Sequence, residues 1–511
     1  MSLQSLSDNV LGKTDDKPQS MEVVTSVLEP IIITDTHARW VLRNEGILSR
    51  DSVLQFQLTS STPGGFLPIS AGIYGLIKRA TLTIGGKRIN HLENLAYWKA
   101  MTHSYDTPSY RQNRTRILKG INNVMTNCPL ASDNAYAGSF IPAGSKNEVY
   151  GQASLDYQME LTSDEKSTPC WSVRLVDLFP ILWNIELPLF LCNNEVVIDL
   201  ELNTQVNKDQ SVGGVGQLCC FTTNAGGTEV LGDCKLVKDS CLLYCDHIYY
   251  ENERMEDVAR SVNAKEGLYL NYTDVVGNVA SHEAASAASV ASGLFSPSKI
   301  DQVPLSGFRV KNLFWGETVN DWNSIQPTPD VPTNYRYYNQ LMGKYALLAY
   351  RKDPSVDLRV NDQLAFPQPL ISSTQKATEA ENVYASPVML NQALWSYNAL
   401  VDKSGEYPEN TLARLLPPSS DFELWGKCSA YQATGKQSFT AINLSHGYGD
   451  DDDDSIVQGI KPIEVLHNSL PRSKIDNYNR TCRYFAEVVK GFGIQDGAAV
   501  VIQGPALANP K

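Results

Sequence analysis

Several features that mark common functional classes are missing from this sequence. Its 511 residues contain no uninterrupted apolar run of the roughly 20 residues that a membrane-spanning helix needs. Residues 1–20 are polar and lack the apolar centre of a signal peptide. The formal net charge is −13 and no run of Lys and Arg exceeds two residues. We therefore expect a protein that does not enter a membrane by itself and does not bind nucleic acid directly.

Motifs for metal binding and catalysis are also missing. The 10 cysteines form no Cys-x-x-Cys pair and the 7 histidines are scattered, which argues against a zinc site and favours buried free thiols in a reducing compartment. Cys241 and Cys245 lie four residues apart, but no second pair of ligands stands near them in the sequence. No glycine-rich phosphate loop, nucleophilic serine elbow or metalloprotease motif occurs. We expect a protein that is not an enzyme and has no cofactor.

The residues that are abundant indicate β structure. The chain has 34 Gly, 26 Pro and 24 Tyr, which suit turns and strands better than long helices. Leu82 and Ile84 alternate with Thr81 and Thr83, and Gly85 then begins a turn, so a half-buried strand with its apolar face towards a core is predicted. Further strands are predicted at residues 54–58, 196–202, 242–250 and 308–314.

The remaining segments are short helices and long loops. Helices are predicted around residues 92–99 and 251–260. Residues 207–232 hold six glycines and read as a linker. The Ala- and Ser-rich tract 280–293 is predicted to be an exposed loop, as is the Pro-rich segment 324–332. The chain therefore divides into two β-rich parts.

Four blocks of the sequence resemble a known family. Residues 77–89, followed by Trp98, are similar to the first barrel of the major capsid proteins of eukaryotic double-stranded DNA viruses. Residues 187–200 look like that barrel's Leu-Pro motif and last strand. Residues 242–250 are similar to the opening strand of the second barrel, and residues 309–315 to a later strand of it. The blocks occur in the family's order.

The resemblance implies a mainly β fold of two tandem eight-stranded antiparallel jelly-roll barrels with long loops and a few short helices. The expected divisions of the chain are an N-terminal arm, a first jelly roll, a linker, a second jelly roll and a C-terminal tail, at residues 1–21, 22–205, 206–235, 236–490 and 491–511. The implied role is that of the major capsid protein, which forms homotrimeric, pseudo-hexameric capsomers in an icosahedral shell.

The same resemblance implies the partners. They are neighbouring capsomers and minor capsid proteins, in a virion whose protein is synthesised in the host cytoplasm, with room for a lipid membrane beneath the shell. Two other functions stay open: a carbohydrate-binding or glycoside-cleaving β-sandwich protein, which would need paired acids beside an aromatic cleft, and a minor capsid or vertex protein of the same type of virus.

Two groups of residues are weak candidates for chemistry. Five consecutive aspartates could bind Ca²⁺ between subunits, although contiguous acids are more often a solvated loop tip; they are Asp450, Asp451, Asp452, Asp453 and Asp454. Asp246 and His247 could form an acid–base pair, but adjacent strand residues face opposite sides, so a structural role is favoured. We expect no catalytic residues and no cofactor-binding residues.

Overall fold

The protein is described by a computed structural model. It describes residues 21–60, 65–67, 71–102, 119, 160–161, 170–203, 220–223, 229–232, 234–264, 267–283, 299–319, 355–364, 439–444, 456–457, 461–468, 480–495 and 497–502. The strands of the first part are β1 Met21–Leu28, β2 Ile32–Ile33, β3 His37–Leu42, β4 Ile47–Leu48, β5 Val53–Ser60, β6 Gly65–Phe66, β7 Ile77–Ile84, β8 Lys87–Glu93, β9 Glu160–Leu161, β10 Cys170–Arg174, β11 Val196–Leu202, β12 Cys220–Thr223, β13 Glu229–Gly232, β14 Cys234–Leu236 and β15 Leu242–Tyr250.

The second part continues in the same way. Its strands are β16 Leu268–His282, β17 Lys299–Val303, β18 Arg309–Val319, β19 Ser355–Val360, β20 Gln363–Leu364, β21 Phe439–Asn443, β22 Ile456–Val457, β23 Ile463–Asn468, β24 Arg480–Gln495 and β25 Ala498–Ile502. The helices are α1 Leu95–Thr102, α2 Leu175–Leu178, α3 Ile181–Asn184 and α4 Asn252–Ala264, with 3-10 turns at Gly72–Leu76, Leu189–Leu191 and Lys238–Ser240. Within these ranges, no helix has the length and apolar character needed to cross a membrane.

Two sheets form the first barrel. One has the strand order β1-β15-β5-β10, with β4 and β14 at its margins, and the other has the order β2-β3-β11-β7-β8. Both sheets bury their inner faces in one hydrophobic core. A small third sheet, β13-β12-β6-β9, gathers short strands from the segments that follow β5 and β11 and precede β10. These segments all belong to one end of the barrel.

The second barrel repeats this arrangement. Its sheets have the orders β16-β24-β18-β21 and β17-β23-β19-β20, with β22 and β25 paired at the margins of the first of them. When the eight main strands of each barrel are counted along the chain, both barrels follow one pattern. The first, eighth, third and sixth strands lie side by side in one sheet. The second, seventh, fourth and fifth strands lie side by side in the other. All pairings are antiparallel. The predicted fold of two tandem eight-stranded barrels is confirmed.

The boundary between the barrels differs from the predicted one. Strand β15 was expected to open the second barrel, but it pairs with β1 and β5 and is the eighth strand of the first. Strand β11, expected to be the last of that barrel, is the seventh. The segment predicted as the linker 206–235 contains β12 and β13, which belong to the small third sheet of the first part. The connection between the barrels is instead α4.

The alternation of the sequence matches the burial of the side chains. Leu82 and Ile84 are 1% and 0% exposed, whereas Thr81 and Thr83 are partly exposed on the other face of β7. At the end of β7, Gly85 has a φ of 56°, and a Cβ there would lie 2.9 Å from the Asn194 amide nitrogen. Glycine therefore allows both the left-handed turn and the close approach of the neighbouring loop. The predicted register of the strand is confirmed.

One predicted loop is partly a strand. The tract 280–293 was expected to be exposed, but its first three residues lie in β16, where Ala280 pairs with Cys482 and His282 with Arg480. The side chain of His282 is buried at 4% exposure. The small side chains of this tract fit a strand as well as they fit a loop. Pairing with β24 satisfies the backbone hydrogen bonds of these residues, so the strand forms although the sequence has no apolar run here.

Candidate functional site

The site residues suggested by the sequence do not come together in the described parts of the chain. Asp450 to Asp454 lie outside the described residues. Asp246 accepts a hydrogen bond from the Thr25 hydroxyl at 2.6 Å, whereas His247 Nδ1 lies 3.0 Å from the Glu45 carbonyl oxygen. The two side chains therefore face opposite sides of β15, as the alternation of a strand requires.

Cys241, just before β15, and Cys245, within β15, carry buried free thiols, as predicted. Cys241 and Cys245 are both 0% exposed. Burial raises the pKa of each thiol to about 12, so both are protonated at neutral pH and are poor nucleophiles. Trp315 is 4% exposed and belongs to the hydrophobic core of the second barrel.

The first notable cluster of polar residues lies where the two barrels meet. Asp274 of β16 is 2% exposed. Its Oδ1 accepts a hydrogen bond from Asn90 Nδ2 of the first barrel at 2.8 Å, and its Oδ2 accepts one from Lys490 Nζ of β24 at 2.5 Å. Asn90, fully buried, also accepts a hydrogen bond from the backbone N–H of Ile181 through its Oδ1 at 3.3 Å. The carboxylate is thus held from both barrels at once.

Two further hydrogen bonds cross the same junction. The Tyr272 hydroxyl donates to the Ile89 carbonyl at 2.8 Å, and the backbone N–H of Thr273 donates to Asn184 Oδ1 at 3.0 Å. Burial raises the pKa of Tyr272 well above its usual value, so the hydroxyl keeps its proton and remains a donor. These directional bonds define one relative orientation of the barrels.

Aromatic side chains fill the space beside this polar cluster. The Trp98 ring of α1 packs edge-on against Phe314 with centroids 4.8 Å apart, and against Phe485 at 5.5 Å. The guanidinium of Arg483 lies 3.8 Å from the centroid of the Tyr97 ring, a distance suited to a cation–π contact. Arg483 and Phe485 of β24 therefore face the first barrel, while their neighbours on the strand face the interior of the second.

A second polar cluster lies inside the second barrel. His282 Nε2 lies 2.9 Å from both oxygens of Asp301, and His467 Nε2 lies 3.5 Å from Asp301 Oδ2 and 2.8 Å from the Tyr484 oxygen. The Tyr484 hydroxyl also donates to Asp301. Cys482 stands close by, with its sulfur within 4.8 Å of ligand atoms of Asp301 and His467. None of the five is more than 7% exposed.

The charge state of this cluster follows from its contacts. Burial alone would raise the pKa of Asp301, but hydrogen bonds from His282, His467 and Tyr484 outweigh it and hold the pKa well below its usual range. Burial raises the pKa of Tyr484 far above that of a free phenol. Asp301 is thus an ionised acceptor surrounded by donors.

The outer edges of both barrels expose apolar residues. In β1, which pairs on one side only among the described strands, Met21, Val23 and Val27 are 51–55% exposed, and Ile31 just beyond it is 65% exposed. The first two strands of the second barrel also expose apolar side chains: Tyr269 and Val279 of β16 and Ile300 of β17 are 44–60% exposed. Exposed apolar edge strands are liable to pair with other chains unless a partner covers them.

Neither polar cluster could be predicted from a sequence motif, because the residues of each cluster lie far apart in the chain. The exposed apolar positions could have been found from the sequence, since Val23 and Val27 repeat at the spacing of one strand face. What distinguishes them from core positions is that β1 lies at an edge, which only the strand pairing reveals.

No protein-family model matches the chain, and no curated protein matches its sequence. Solved structures do. VP54 of PBCV-1, in a crystal structure fitted into a reconstruction of the virophage Sputnik, is similar over 97% of this chain and 99% of its own, with a TM-score of 0.51 and 13% identity. The PBCV-1 virus capsid shows the same values. A cryo-EM structure of the Sputnik virophage is similar over 98% of this chain and 92% of its own, with a TM-score of 0.53 and 11% identity.

The chain has the double jelly-roll fold. The likeness extends over nearly the whole length of each chain, so it includes both barrels and not one barrel alone. Identities of 11–13% are those of a shared fold with almost fully diverged side chains. In this chain, the junction around Asp274 is one of the contacts that hold the two barrels together.

Proposed function

We propose that this chain is the major capsid protein of a double-stranded DNA virus, a structural subunit that trimerises into pseudo-hexameric capsomers of an icosahedral shell. The observation that carries the proposal is the repeated strand order of the two barrels, in a chain whose fold is similar to the PBCV-1 virus capsid over 97% of its length. Two similar barrels held at one angle give each chain two nearly equivalent sides. Three such chains can then form a ring of six barrels.

The barrel edges support self-association. Apolar residues exposed on the first strands of both barrels, Val23 and Val27 on β1 and Val279 on β16, would be covered when copies of the chain pack around a threefold axis. Burial of apolar surface is the main favourable term in stable association between subunits. The occupant that we propose for the β1 edge is a second copy of this chain.

The charge of the chain is consistent with a shell that encloses a genome without condensing it. At a net charge of −13, electrostatic attraction to nucleic acid is weak. The proposed partners are neighbouring capsomers and minor capsid proteins of the virion, with synthesis in the host cytoplasm and room for a membrane beneath the shell. We propose no enzymatic role, since the buried acids Asp274 and Asp301 are both engaged in closed hydrogen-bonded clusters.

The decisive experiment is the oligomeric state of the purified chain. Mass photometry at nanomolar concentration and sedimentation at micromolar concentration should show a species of three times 56.4 kDa, and negative-stain images should show a hexagonal outline. A chain that stays monomeric throughout this range would refute the proposed function.

A matched pair of variants tests the proposed contact. Val23→Asp places a charge on the outer face of β1, where the side chain is 51% exposed, so the barrel should fold normally while the trimer weakens. Asn252→Glu adds a charge at an exposed position at the start of α4 and should leave the trimer intact. If both variants trimerise like the parent chain, the β1 edge is not the contact.

A further inference from the structure

The buried cluster in the second barrel has the composition of a metal site. We propose that Asp301, His467 and Cys482 bind one transition-metal ion of the zinc class, inside the end of the second barrel where β16 and β23 finish. A carboxylate oxygen, an imidazole nitrogen and a thiolate sulfur are the three kinds of ligand that zinc takes in proteins. Here they come from β17, β23 and β24, so an ion would join both sheets of the barrel.

The distances between the ligand atoms suit such an ion. Zinc lies about 2.0–2.3 Å from nitrogen, oxygen and sulfur ligands, so two ligands of a tetrahedral site are roughly 3.4–3.8 Å apart. The separation of His467 Nε2 and Asp301 Oδ2 is already 3.5 Å. All three ligand atoms lie within 4.8 Å of one another, so a small adjustment of the side chains would bring them to the separations of a tetrahedral site.

The charges also balance. Asp301 as a carboxylate and Cys482 as a thiolate together carry two negative charges, which one divalent ion neutralises. A neutral complex is the arrangement that burial favours, because an uncompensated charge in a core is costly. Binding would release the thiol proton of Cys482 and require the ring proton of His467 to reside on Nδ1, leaving Nε2 free to bind the metal.

The surrounding residues resemble the second layer of a metal site. His282 Nε2 lies 2.9 Å from both Asp301 oxygens, so it can donate a hydrogen bond that orients the carboxylate, as partners of metal ligands commonly do. The Tyr484 hydroxyl, whose oxygen lies 2.8 Å from His467 Nε2, donates to Asp301 and also orients the carboxylate. These two residues are positioning residues in this proposal.

The test uses the full-length chain and measures the metal directly. Protein dialysed against Zn²⁺ and then against metal-free buffer should retain about one equivalent of zinc per chain by elemental mass spectrometry. Loading with Co²⁺ should produce a thiolate-to-cobalt charge-transfer band in the near ultraviolet. Cys482→Ser should abolish that band and weaken zinc binding at least tenfold, while preserving the size of the side chain.

Matched controls separate this site from metal bound elsewhere. Cys245→Ser changes a thiol that is equally buried but lies in the first barrel, and should retain the band. His37→Gln alters the His37–Asp199 pair, whose atoms are 2.7 Å apart on the partly exposed face of the first barrel, and should retain the zinc.

Two results would overturn the proposal. One is a protein that keeps no zinc and shows no cobalt band although its melting curve is cooperative. The other is a Cys482→Ser variant that binds zinc as tightly as the parent chain. Either result leaves the trimer measured by mass photometry unaffected, so failure of the metal site and failure of the proposed capsid function remain distinguishable.

Discussion

Removal of the Asp274 carboxylate should uncouple the two barrels. In Asp274→Ala, Lys490 loses its partner at 2.5 Å and Asn90 loses an acceptor at 2.8 Å, in a junction where the Lys490 side chain is only 11% exposed. Breaking a buried ion pair by removal of one partner costs about 3–5 kcal/mol, because the remaining charge is left uncompensated. We expect a loss of that size in the free energy of unfolding.

The cost should appear as a change in cooperativity as well as in stability. Because Asp274 is bonded to Lys490 within the second barrel and to Asn90 of the first, its loss should weaken the second barrel and its junction with the first, and should leave the core of the first barrel intact. Differential scanning calorimetry should therefore show the parent chain's main transition broadening or splitting into two in Asp274→Ala. Chemical denaturation followed by tryptophan fluorescence gives the free energy where each transition is two-state.

A double variant tests the cause. Asp274→Ala/Lys490→Met removes both charges and keeps an apolar stem at position 490, so it should be more stable than Asp274→Ala alone by at least about 1 kcal/mol. Arg260→Ala is the matched control, because it removes an exposed ion pair in which the guanidinium lies 2.9 Å from Glu256. That pair should contribute only about 0.3–0.5 kcal/mol to the free energy of unfolding. An Asp274→Ala variant that loses no more than Arg260→Ala would refute this account of the junction.

Three further predictions follow from single positions. Leu82→Asp should abolish soluble protein, since an unpaired charge in the core costs several kcal/mol. Thr83→Asp changes the partly exposed face of the same strand and should remain soluble. Equal behaviour of the two variants in expression and gel filtration would contradict the register of β7. Gly497→Ala should lower the melting temperature more than Gly86→Ala, because both glycines have a φ of 76° but only the former would place a Cβ 2.1 Å from the Asn193 amide nitrogen. Maleimide labelling of the native protein at pH 8, mapped by mass spectrometry, should modify the exposed Cys170 and spare Cys241, whose pKa is raised to about 12 by burial. Comparable labelling of both cysteines would mean that the core beside β15 is accessible to solvent.

The strands of this fold could be predicted from alternation, but their partners could not. Leu82 and its neighbours showed which face of β7 is buried, and the burial agrees. The division of the chain failed at β15 because a barrel's eighth strand pairs with its first: Thr25 and Asp246 are partners although 221 residues separate them. A long glycine-rich segment before β15 suggested a linker, whereas such segments here are excursions within one barrel.

The polar clusters show the same limit more strongly. His282 lies at the start of an Ala- and Ser-rich tract, and Asp301 lies in a short strand with mixed polar and apolar residues, so neither sequence context indicates burial. Only the pairing of β16 with β24 and of β17 with β23 brings them near His467. Alternation predicts which face of a strand is buried, but it does not predict which distant residues are buried beside that face.

The location of the buried polar residues has a physical reason in a two-barrel chain. Apolar surfaces between barrels, such as the contact of Trp98 with Phe314, stabilise association but tolerate many relative angles, because dispersion and hydrophobic forces are weakly directional. The hydrogen bonds that cross the junction, from Asn90 to Asp274, from Tyr272 to the Ile89 carbonyl and from the Thr273 N–H to Asn184, are satisfied in one orientation only. In the proposed shell subunit, the two nearly equivalent sides require a constant angle between them, since an error in each chain would accumulate around a closed ring. We therefore interpret the charged junction as a determinant of geometry, and the aromatic packing beside it as the main source of the junction's stability.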